Sequence, residues 1–169
     1  EGLEALSSDA VSVLPMDLDQ DRDRDLVLVG QHGLWVIRND RIWQWESLQI
    51  DDEPAQAVVG GDPNADGVVD LYVLRSEILD HFEVLRDLSL VRKHRTELKG
   101  MHSMMLADFS GDGRLELFCS GDSSAFVYSI DDAAALDAPL DEFAYDAVTV
   151  RPVTLDPEAG PGLLTGKSN

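Results

Sequence analysis

The chain has 169 residues, and its 33 acidic against 13 basic side chains give a formal net charge of −20. This length fits one ordinary domain, and an apolar share of 44% is typical of a globular chain rather than a disordered one. The acidic balance argues against a nucleic-acid partner, and no apolar run approaches the roughly 18 residues that span a bilayer. The single cysteine, Cys119, excludes an internal disulfide framework and a multi-cysteine zinc site.

Three short stretches concentrate the acidic residues in one shared pattern. Numbered from its first acid, each stretch has an oxygen-bearing side chain at positions 1, 3, 5 and 9 and a leucine at position 10. The first stretch adds a further aspartate, Asp23, at position 7. The oxygen-bearing residues are Asp17, Asp19, Asp21 and Asp25 in the first stretch, Asp62, Asn64, Asp66 and Asp70 in the second, and Asp108, Ser110, Asp112 and Glu116 in the third.

The stretches recur at a nearly constant interval. Their first acids lie 45 and 46 residues apart, and a further 46 residues lead to Thr154. There a degenerate fourth copy keeps Asp156 and Glu158 but has Thr154 at position 1 and Gly162 at position 9, so we expect it to bind nothing. An internal repeat of this length, about 20–50 residues, is typical of solenoids, propellers and arrays. An apolar residue also precedes each start by four positions, namely Val13, Val58, Met104 and Val150.

Short runs rich in β-branched and aromatic residues flank the acidic stretches and predict strands. Asp131–Asp141 is predicted to be a loop or one helical turn. Four strands in about 45 residues is the size of a propeller blade, so we predict blade units at about 10–54, 55–99 and 100–146, with a partial unit at 147–169. The predicted strands include Val11–Leu14, Leu26–Val29, Leu34–Ile37, Ile42–Trp45, Leu71–Leu74, Phe82–Leu85, Leu88–Arg92, Leu117–Cys119, Ala125–Ile130, Phe143–Tyr145 and Ala147–Val153.

The segment from Asp17 to Asp40 resembles an FG-GAP or VCBS repeat, and Gly60–Leu74 and Ala107–Gly121 match the same pattern. That family places a calcium loop between the first two strands of a β-propeller blade, as in the propellers of integrin α-subunits. The resemblance covers three units and the opening of a fourth, which is nearly the whole chain. It implies an all-β propeller with bound calcium in an extracellular, periplasmic or cell-surface setting.

The composition of the loops also favours Ca²⁺ on chemical grounds. Ca²⁺ is a hard cation that takes about 6–8 oxygen ligands. The side chains at positions 1, 3, 5 and 9 and the backbone carbonyl at position 7, contributed by Asp23, Val68 or Arg114, would form such a set. We therefore expect two to three Ca²⁺ sites. Mg²⁺ stays open as an alternative, although it keeps more water, whereas an all-oxygen set disfavours Zn²⁺.

Position 6 of each loop decides how sharply the chain turns. Gly67 and Gly113 suit the unusual backbone angle of this turn, but the first loop has Arg22 there. Because a non-glycine residue at positive φ costs on the order of 1 kcal/mol, we expect the first loop to bind more weakly or to curl differently. An EF-hand is excluded, since the glutamate at position 12 and the flanking helices are absent from the sequence pattern.

The length of the chain leaves the predicted ring incomplete. At about 46 residues per unit it holds three blades and half of a fourth, whereas propellers close with about 4–8 blades. Even if Gly2–Leu6 supplied an outer strand, one strand would be missing, so we expect either a segment of a larger propeller or self-association.

The expected function is that of a non-enzymatic protein-interaction or scaffold module. Its partner would be another protein or the remaining blades, with no nucleic-acid binding and no membrane insertion. A carbohydrate-binding propeller, or the non-catalytic part of a polysaccharide-active enzyme, is an alternative suggested by Trp35, Trp43 and Trp45. A second alternative is an acidic, salt-adapted propeller without metal.

Overall fold

The computed structural model describes residues 10–40, 44–130, 139–144, 149–156 and 160–166. These residues form fourteen strands in four antiparallel sheets, which confirms the all-β prediction. The first sheet contains β1 (Ala10–Met16), β2 (Asp25–Gly30), β3 (Gly33–Asn39) and β4 (Trp45–Asp51). The second sheet contains β5 (Ala57–Gly61), β6 (Val69–Leu74), β7 (Ile78–Val84) and β8 (Leu90–Glu97). The third sheet contains β9 (Met101–Ala107), β10 (Glu116–Gly121), β11 (Ser124–Ser129) and β12 (Asp141–Ala144), and the fourth contains β13 (Thr149–Asp156) and β14 (Gly160–Gly166).

Each four-stranded sheet is a meander in which every strand pairs with the next one along the chain. The fourth sheet is a single hairpin of β13 and β14. Among the described strands no ladder joins one sheet to another, so strand pairing does not close the sheets into a ring.

The pairing register repeats from sheet to sheet. The residue four positions before each acidic loop lies opposite the residue at position 12, across the first two strands of every sheet. Since a slip of one residue would turn every side chain to the other face, this agreement places equivalent side chains of the three four-stranded sheets on equivalent faces. The pairs are Val13 with Leu28, Val58 with Val73, Met104 with Cys119, and Val150 with Thr165.

The outer strands differ most from the sequence prediction. β4 begins at Trp45, where the predicted strand Ile42–Trp45 ends, and residues 41–43 lie outside the described part of the chain. β8 extends to Glu97 instead of ending at Arg92. Both strands consist mostly of polar, exposed residues, so they lack a continuous apolar run from which their bounds could be predicted.

Smaller differences affect the inner hairpins and the insert. β7 begins at Ile78 rather than at Phe82, and β12 covers Asp141–Ala144 rather than Phe143–Tyr145. Most of the predicted loop or helical turn at Asp131–Asp141, and the segment Gly2–Leu6, lie outside the described residues.

Two apolar cores lie between consecutive sheets. In the first core, Val27, Leu34 and Val36 of the first sheet pack against the second sheet. The second sheet contributes Leu71 and Val73 from the face that lies toward the first. A second core joins the second and third sheets, because each sheet carries apolar residues on both of its faces. Its buried members include Tyr72, Leu74, Leu79, Met104, Leu117 and Cys119.

A buried ionic cluster also joins the first two sheets. Arg75 is 2% exposed and donates from Nε to Asp80 Oδ2 at 2.6 Å and from Nη2 to Asp51 Oδ2 at 2.8 Å. Its Nη1 donates to the backbone carbonyl of Glu53. Asp80 is fully buried, and Arg92 Nε lies 3.2 Å from its second oxygen. Arg75 therefore ties the β6–β7 hairpin to the end of the first sheet.

The Arg75→Ala variant should lose about 2–3 kcal/mol of unfolding free energy, because buried Asp80 loses its closest charged hydrogen-bond partner while Arg92 and Arg95 remain near its other oxygen. Urea unfolding followed by circular dichroism measures this loss. The matched control is Lys93→Ala, which breaks the exposed pair with Glu83 and should cost about 0–1 kcal/mol. Equal losses in the two variants would contradict this account of the cluster.

Candidate metal centre

The three acidic loops occupy the same place in the three four-stranded sheets. Each connects the first strand of its sheet to the second, between β1 and β2, between β5 and β6, and between β9 and β10. The first two loops also touch, because the Gln20 side-chain amide donates to the backbone carbonyl of Gly67. The sequence pattern contained no signal for this contact.

All three loops close through the same hydrogen bond. The carboxylate at position 1 accepts from the backbone N–H at position 6, five residues later. This bond makes the chain reverse direction within the loop. The bonds run from Arg22 to Asp17 at 3.0 Å, from Gly67 to Asp62 at 3.0 Å, and from Gly113 to Asp108 at 2.9 Å.

Position 6 has a positive φ in every loop, as the two glycines predict. The angle is 83° at Gly67 and 90° at Gly113. Arg22 takes the same conformation, with a φ of 76°. The first loop therefore curls like the other two, and the expectation of a different curl is wrong. The closing hydrogen bond to Asp17 holds Arg22 in this unfavourable region.

Position 4 is also left-handed in every loop, which the sequence did not indicate. The angles are 64° at Gln20, 57° at Ala65 and 76° at Gly111. Only the third loop has a glycine there, so only that loop offered a sequence signal.

Position 5 stabilises the second half of each loop. Its carboxylate accepts from the backbone N–H two residues later, at position 7. That the carbonyl at position 7 serves as an oxygen donor stays a prediction. These bonds run from Asp23 to Asp21 at 2.8 Å, from Val68 to Asp66 at 2.7 Å, and from Arg114 to Asp112 at 2.9 Å.

The acids at position 9 are buried at the start of the second strand and anchor the loop to the sheet. Asp25 is 1% exposed and accepts from the backbone N–H groups of Leu18 at 3.0 Å and Asn39 at 2.9 Å. Glu116 accepts from the Phe109 N–H at 2.6 Å and from the Ser110 hydroxyl at 2.8 Å.

Asp70, the position-9 acid of the second loop, has a different partner. It is buried, and its Oδ1 lies 2.8 Å from Nε2 of His81 on the neighbouring strand. In the same loop Asn64 donates to Asp66 Oδ2 at 3.0 Å. The second loop matches the sequence pattern best. Its carboxylates beside Asn64 are those of Asp62 and Asp66, whereas the carboxylate of Asp70 contacts His81 instead.

The first and third loops bring three acidic side chains together. One oxygen from each of Asp17, Asp19 and Asp21 lies within 4.8 Å of the others. The third loop gathers oxygens of Asp108, Asp112 and Glu116 within the same distance. All of these donors are hard oxygens, which suits Ca²⁺.

The environment of the first loop fits a cation in two further ways. Asp17 Oδ1 is buried and accepts no hydrogen bond, so a positive ion would remove the cost of this unpaired acceptor. Burial raises the pKa of Asp19 above its usual value, and the neighbouring carboxylates of Asp25, Asp21 and Asp17 raise this pKa further. The residues present at this loop therefore fit Ca²⁺.

Other candidate groups have simpler roles. Cys119 is fully buried in β10, and burial raises the pKa of its thiol to about 12, so the thiol is protonated at neutral pH. Trp35 is partly buried and donates from Nε1 to the His32 carbonyl at 3.2 Å. Trp45 is 40% exposed, and Trp43 lies outside the described residues.

Comparisons with known proteins give no information about the function of the loops. No protein-family model matches this chain, and no curated protein matches it either. Within the described residues, no helix has the length and apolar character needed to cross a membrane.

Replacing Arg22 with glycine should raise the free energy of unfolding by about 1 kcal/mol, because glycine adopts a positive φ without the steric cost that arginine has there. Differential scanning calorimetry in EDTA measures the change. The control Arg24→Gly removes the same charge at a neighbouring position and should not stabilise the protein. A stabilisation shared by both variants would show that charge, not backbone conformation, is responsible.

The Asp19→Asn variant should be more stable than the parent without calcium and less stable than the parent with calcium. A raised pKa means that Asp19 favours the folded state only while it is protonated, and this contribution is lost as pH rises through the raised pKa. In EDTA the variant should therefore gain stability relative to the parent as the pH rises above about 4, the usual pKa of an aspartate, and keep this gain at neutral pH. In excess Ca²⁺ at neutral pH it should be less stable, because a ligand oxygen loses its charge.

The thermal midpoint measures both effects, and Asp52→Asn, an exposed acid outside the loops, is the control. A variant that is more stable than the parent in Ca²⁺ as well would contradict a cation site at Asp19.

Proposed function

We propose that this chain is a calcium-stabilised β-propeller segment of the FG-GAP/VCBS type that serves as a non-enzymatic protein-interaction or scaffold module. The observation that carries the proposal is the first loop, where one oxygen from each of Asp17, Asp19 and Asp21 lies within 4.8 Å of the others and where Asp17 Oδ1 is buried without a hydrogen-bond partner. The third loop repeats the convergence of three acids at the equivalent place.

The arrangement of the sheets supports a radial architecture. Consecutive sheets pack face to face, and the first strand of each sheet contacts the first strand of the next, β1 with β5 and β5 with β9. In a propeller the first strands of the blades line the central axis, so such contacts are those expected there. Four-stranded meanders of successive chain segments are likewise the blade unit of this architecture.

Under this proposal the metal ion acts as a structural clamp. Asp17, Asp19 and Asp21 would hold it in the first loop, and Asp108, Asp112 and Glu116 in the third. A bound Ca²⁺ supplies positive charge where carboxylates otherwise repel one another. The chain contributes the shape, because the bond from position 6 to position 1 fixes the loop and the buried acid at position 9 holds it to the sheet.

The module would act by presenting rigid surfaces rather than by chemistry. Its partners would be other proteins or further blades, and its setting would be extracellular, periplasmic or on a cell surface, where calcium is abundant enough to fill modest sites. Three bound ions, each adding +2, would reduce the formal charge from −20 to −14, which lowers the self-repulsion of the folded state.

Calcium should raise the thermal midpoint of the parent protein, because a ligand that binds only the folded state stabilises it. At a free Ca²⁺ concentration of about 100 times Kd, each occupied site adds about 2.7 kcal/mol to the free energy of unfolding. For each variant, the quantity to compare is the difference in thermal midpoint between Ca²⁺ and EDTA. The midpoint in Ca²⁺ alone is not sufficient, since a variant such as Asp108→Ala also removes hydrogen-bond acceptors of the loop.

Asp108→Ala should reduce this difference, and Asp62→Ala tests the second loop in the same way. Asp52→Ala, which removes an exposed acid outside the loops, should leave the difference unchanged. Sodium chloride at equal ionic strength separates a specific cation site from general screening of the acidic surface. A midpoint that rises equally in both salts would favour the salt-adapted alternative, and an unchanged midpoint in Ca²⁺ would refute the metal site.

A further inference from the structure

We propose that His81 holds the Asp70 carboxylate outside the cation site of the second acidic loop, so that this loop binds Ca²⁺ more weakly than the first and third loops. The sequence pattern favours the opposite order, because the second loop matches it best. The inference rests on the proposed function, since it concerns how the three loops share calcium, and it names the residue that sets the difference between them.

The first and third loops hold the acid at position 9 through a backbone N–H of the loop itself. The N–H of Leu18, at position 2, donates to Asp25 at 3.0 Å. The N–H of Phe109, at the same position of the third loop, donates to Glu116 at 2.6 Å. A donor at position 2 therefore keeps the position-9 carboxylate beside its own loop.

The second loop lacks this donor. Its position 2 is Pro63, and a proline has no backbone N–H. Asp70 is nevertheless 5% exposed, and buried carboxylates in folded proteins have hydrogen-bond partners. His81 Nε2, which lies 2.8 Å from Asp70 Oδ1, takes the place of the missing loop donor.

The histidine at this place is specific to the second sheet. His81 pairs with Tyr72, which stands at position 11 of its repeat. The residues that pair with position 11 in the first and third sheets are Val36 and Val127, both buried. A valine side chain cannot donate a hydrogen bond to a carboxylate. The second sheet thus combines a histidine on β7 with a proline at position 2.

Two neighbouring rings hold the imidazole of His81 in place. Because β7 lies between β6 and β8, the cross-strand partners Tyr72 and His94 flank His81. The ring centroid of His81 lies 4.7 Å from that of Tyr72 and 5.6 Å from that of His94, and both ring pairs are stacked. The contact of His81 with Asp70 is therefore preorganised, unlike an ion pair between two exposed side chains.

The contact leaves the second loop with fewer charged ligands. In the first and third loops, three acids each place an oxygen within 4.8 Å of the others. The described residues of the second loop form no such group, so Asp62 and Asp66 remain beside the neutral Asn64. Since the affinity of such loops for Ca²⁺ depends on the number of charged ligands, we expect a dissociation constant at least about tenfold larger in the second loop.

Equilibrium dialysis against labelled Ca²⁺ at neutral pH tests the inference by counting the ions bound to each chain. At a free Ca²⁺ concentration that just saturates the tighter sites, we expect the parent to bind two ions. Asp108→Ala should lower this count to one, because the third loop is one of the two that are filled.

His81→Val, which introduces the residue type of the equivalent positions, should bind three ions at the same concentration. Without the imidazole, the buried carboxylate of Asp70 has the cation as its available partner. For the same reason the variant should be less stable than the parent in EDTA and should gain more in thermal midpoint from Ca²⁺. Circular dichroism verifies that it folds.

His94→Val is the matched control, because it removes the other stacked histidine and leaves the contact of His81 with Asp70 in place. This variant should bind two ions, like the parent. Adding Asp62→Ala to His81→Val should return the count to two, which assigns the extra ion to the second loop.

A parent that fills three sites with similar affinity would overturn the inference, and this count needs no variant. A folded His81→Val that binds no more ions than the parent would also overturn it, and so would an extra ion that Asp62→Ala does not remove. A parent that binds no Ca²⁺ at all would refute the metal sites of the proposed function and this inference with them.

Discussion

The stacking of sheets with two apolar faces is the constraint on which the rest of this structure depends. Val27 and Val29 of β2 pack toward the second sheet, while Leu26 and Leu28 of the same strand point to the opposite face. A sheet of this kind buries its apolar side chains where a neighbouring sheet covers them, so consecutive sheets stack. The stacking also places the first strands side by side, and with them the acidic loops.

The acidic loops add a second, opposing requirement. Their closing hydrogen bonds bring carboxylates together, and in the first and third loops three acids lie within 4.8 Å. In the first loop, burial and, to a smaller extent, the neighbouring carboxylates raise the pKa of Asp19, whereas hydrogen bonds from Arg114 and Ser110 lower the pKa of Asp112 in the third. Part of the net charge of −20 is thus a consequence of loop architecture, while the acids outside the loops have no comparable explanation.

The spacing of the acids predicted the repeat, the short β-branched and aromatic runs predicted the all-β class, and Gly67 and Gly113 predicted the turn at position 6. These patterns were not sufficient for the outer strands β4 and β8, whose polar and exposed residues are held by pairing with an inner neighbour. Nor did they indicate the left-handed conformation at Gln20 and Ala65, because neither residue type marks a positive φ. Arg75 carried no sequence signal either, since its contact with Asp80 depends on the β6–β7 turn and its contact with Asp51 joins two sheets.

By itself, the sequence determined which side chains are available in each loop and how often the pattern recurs, because both are properties of local spacing. Only the tertiary structure decided how those side chains are used. In the folded chain Asp70 contacts His81, and Asp17 has a buried oxygen without a hydrogen-bond partner. Oxygens of Asp108, Asp112 and Glu116 lie within 4.8 Å of one another. The tertiary structure also left Val13 exposed while its equivalents are buried. These outcomes depend on contacts between strands and sheets, which no local pattern contains.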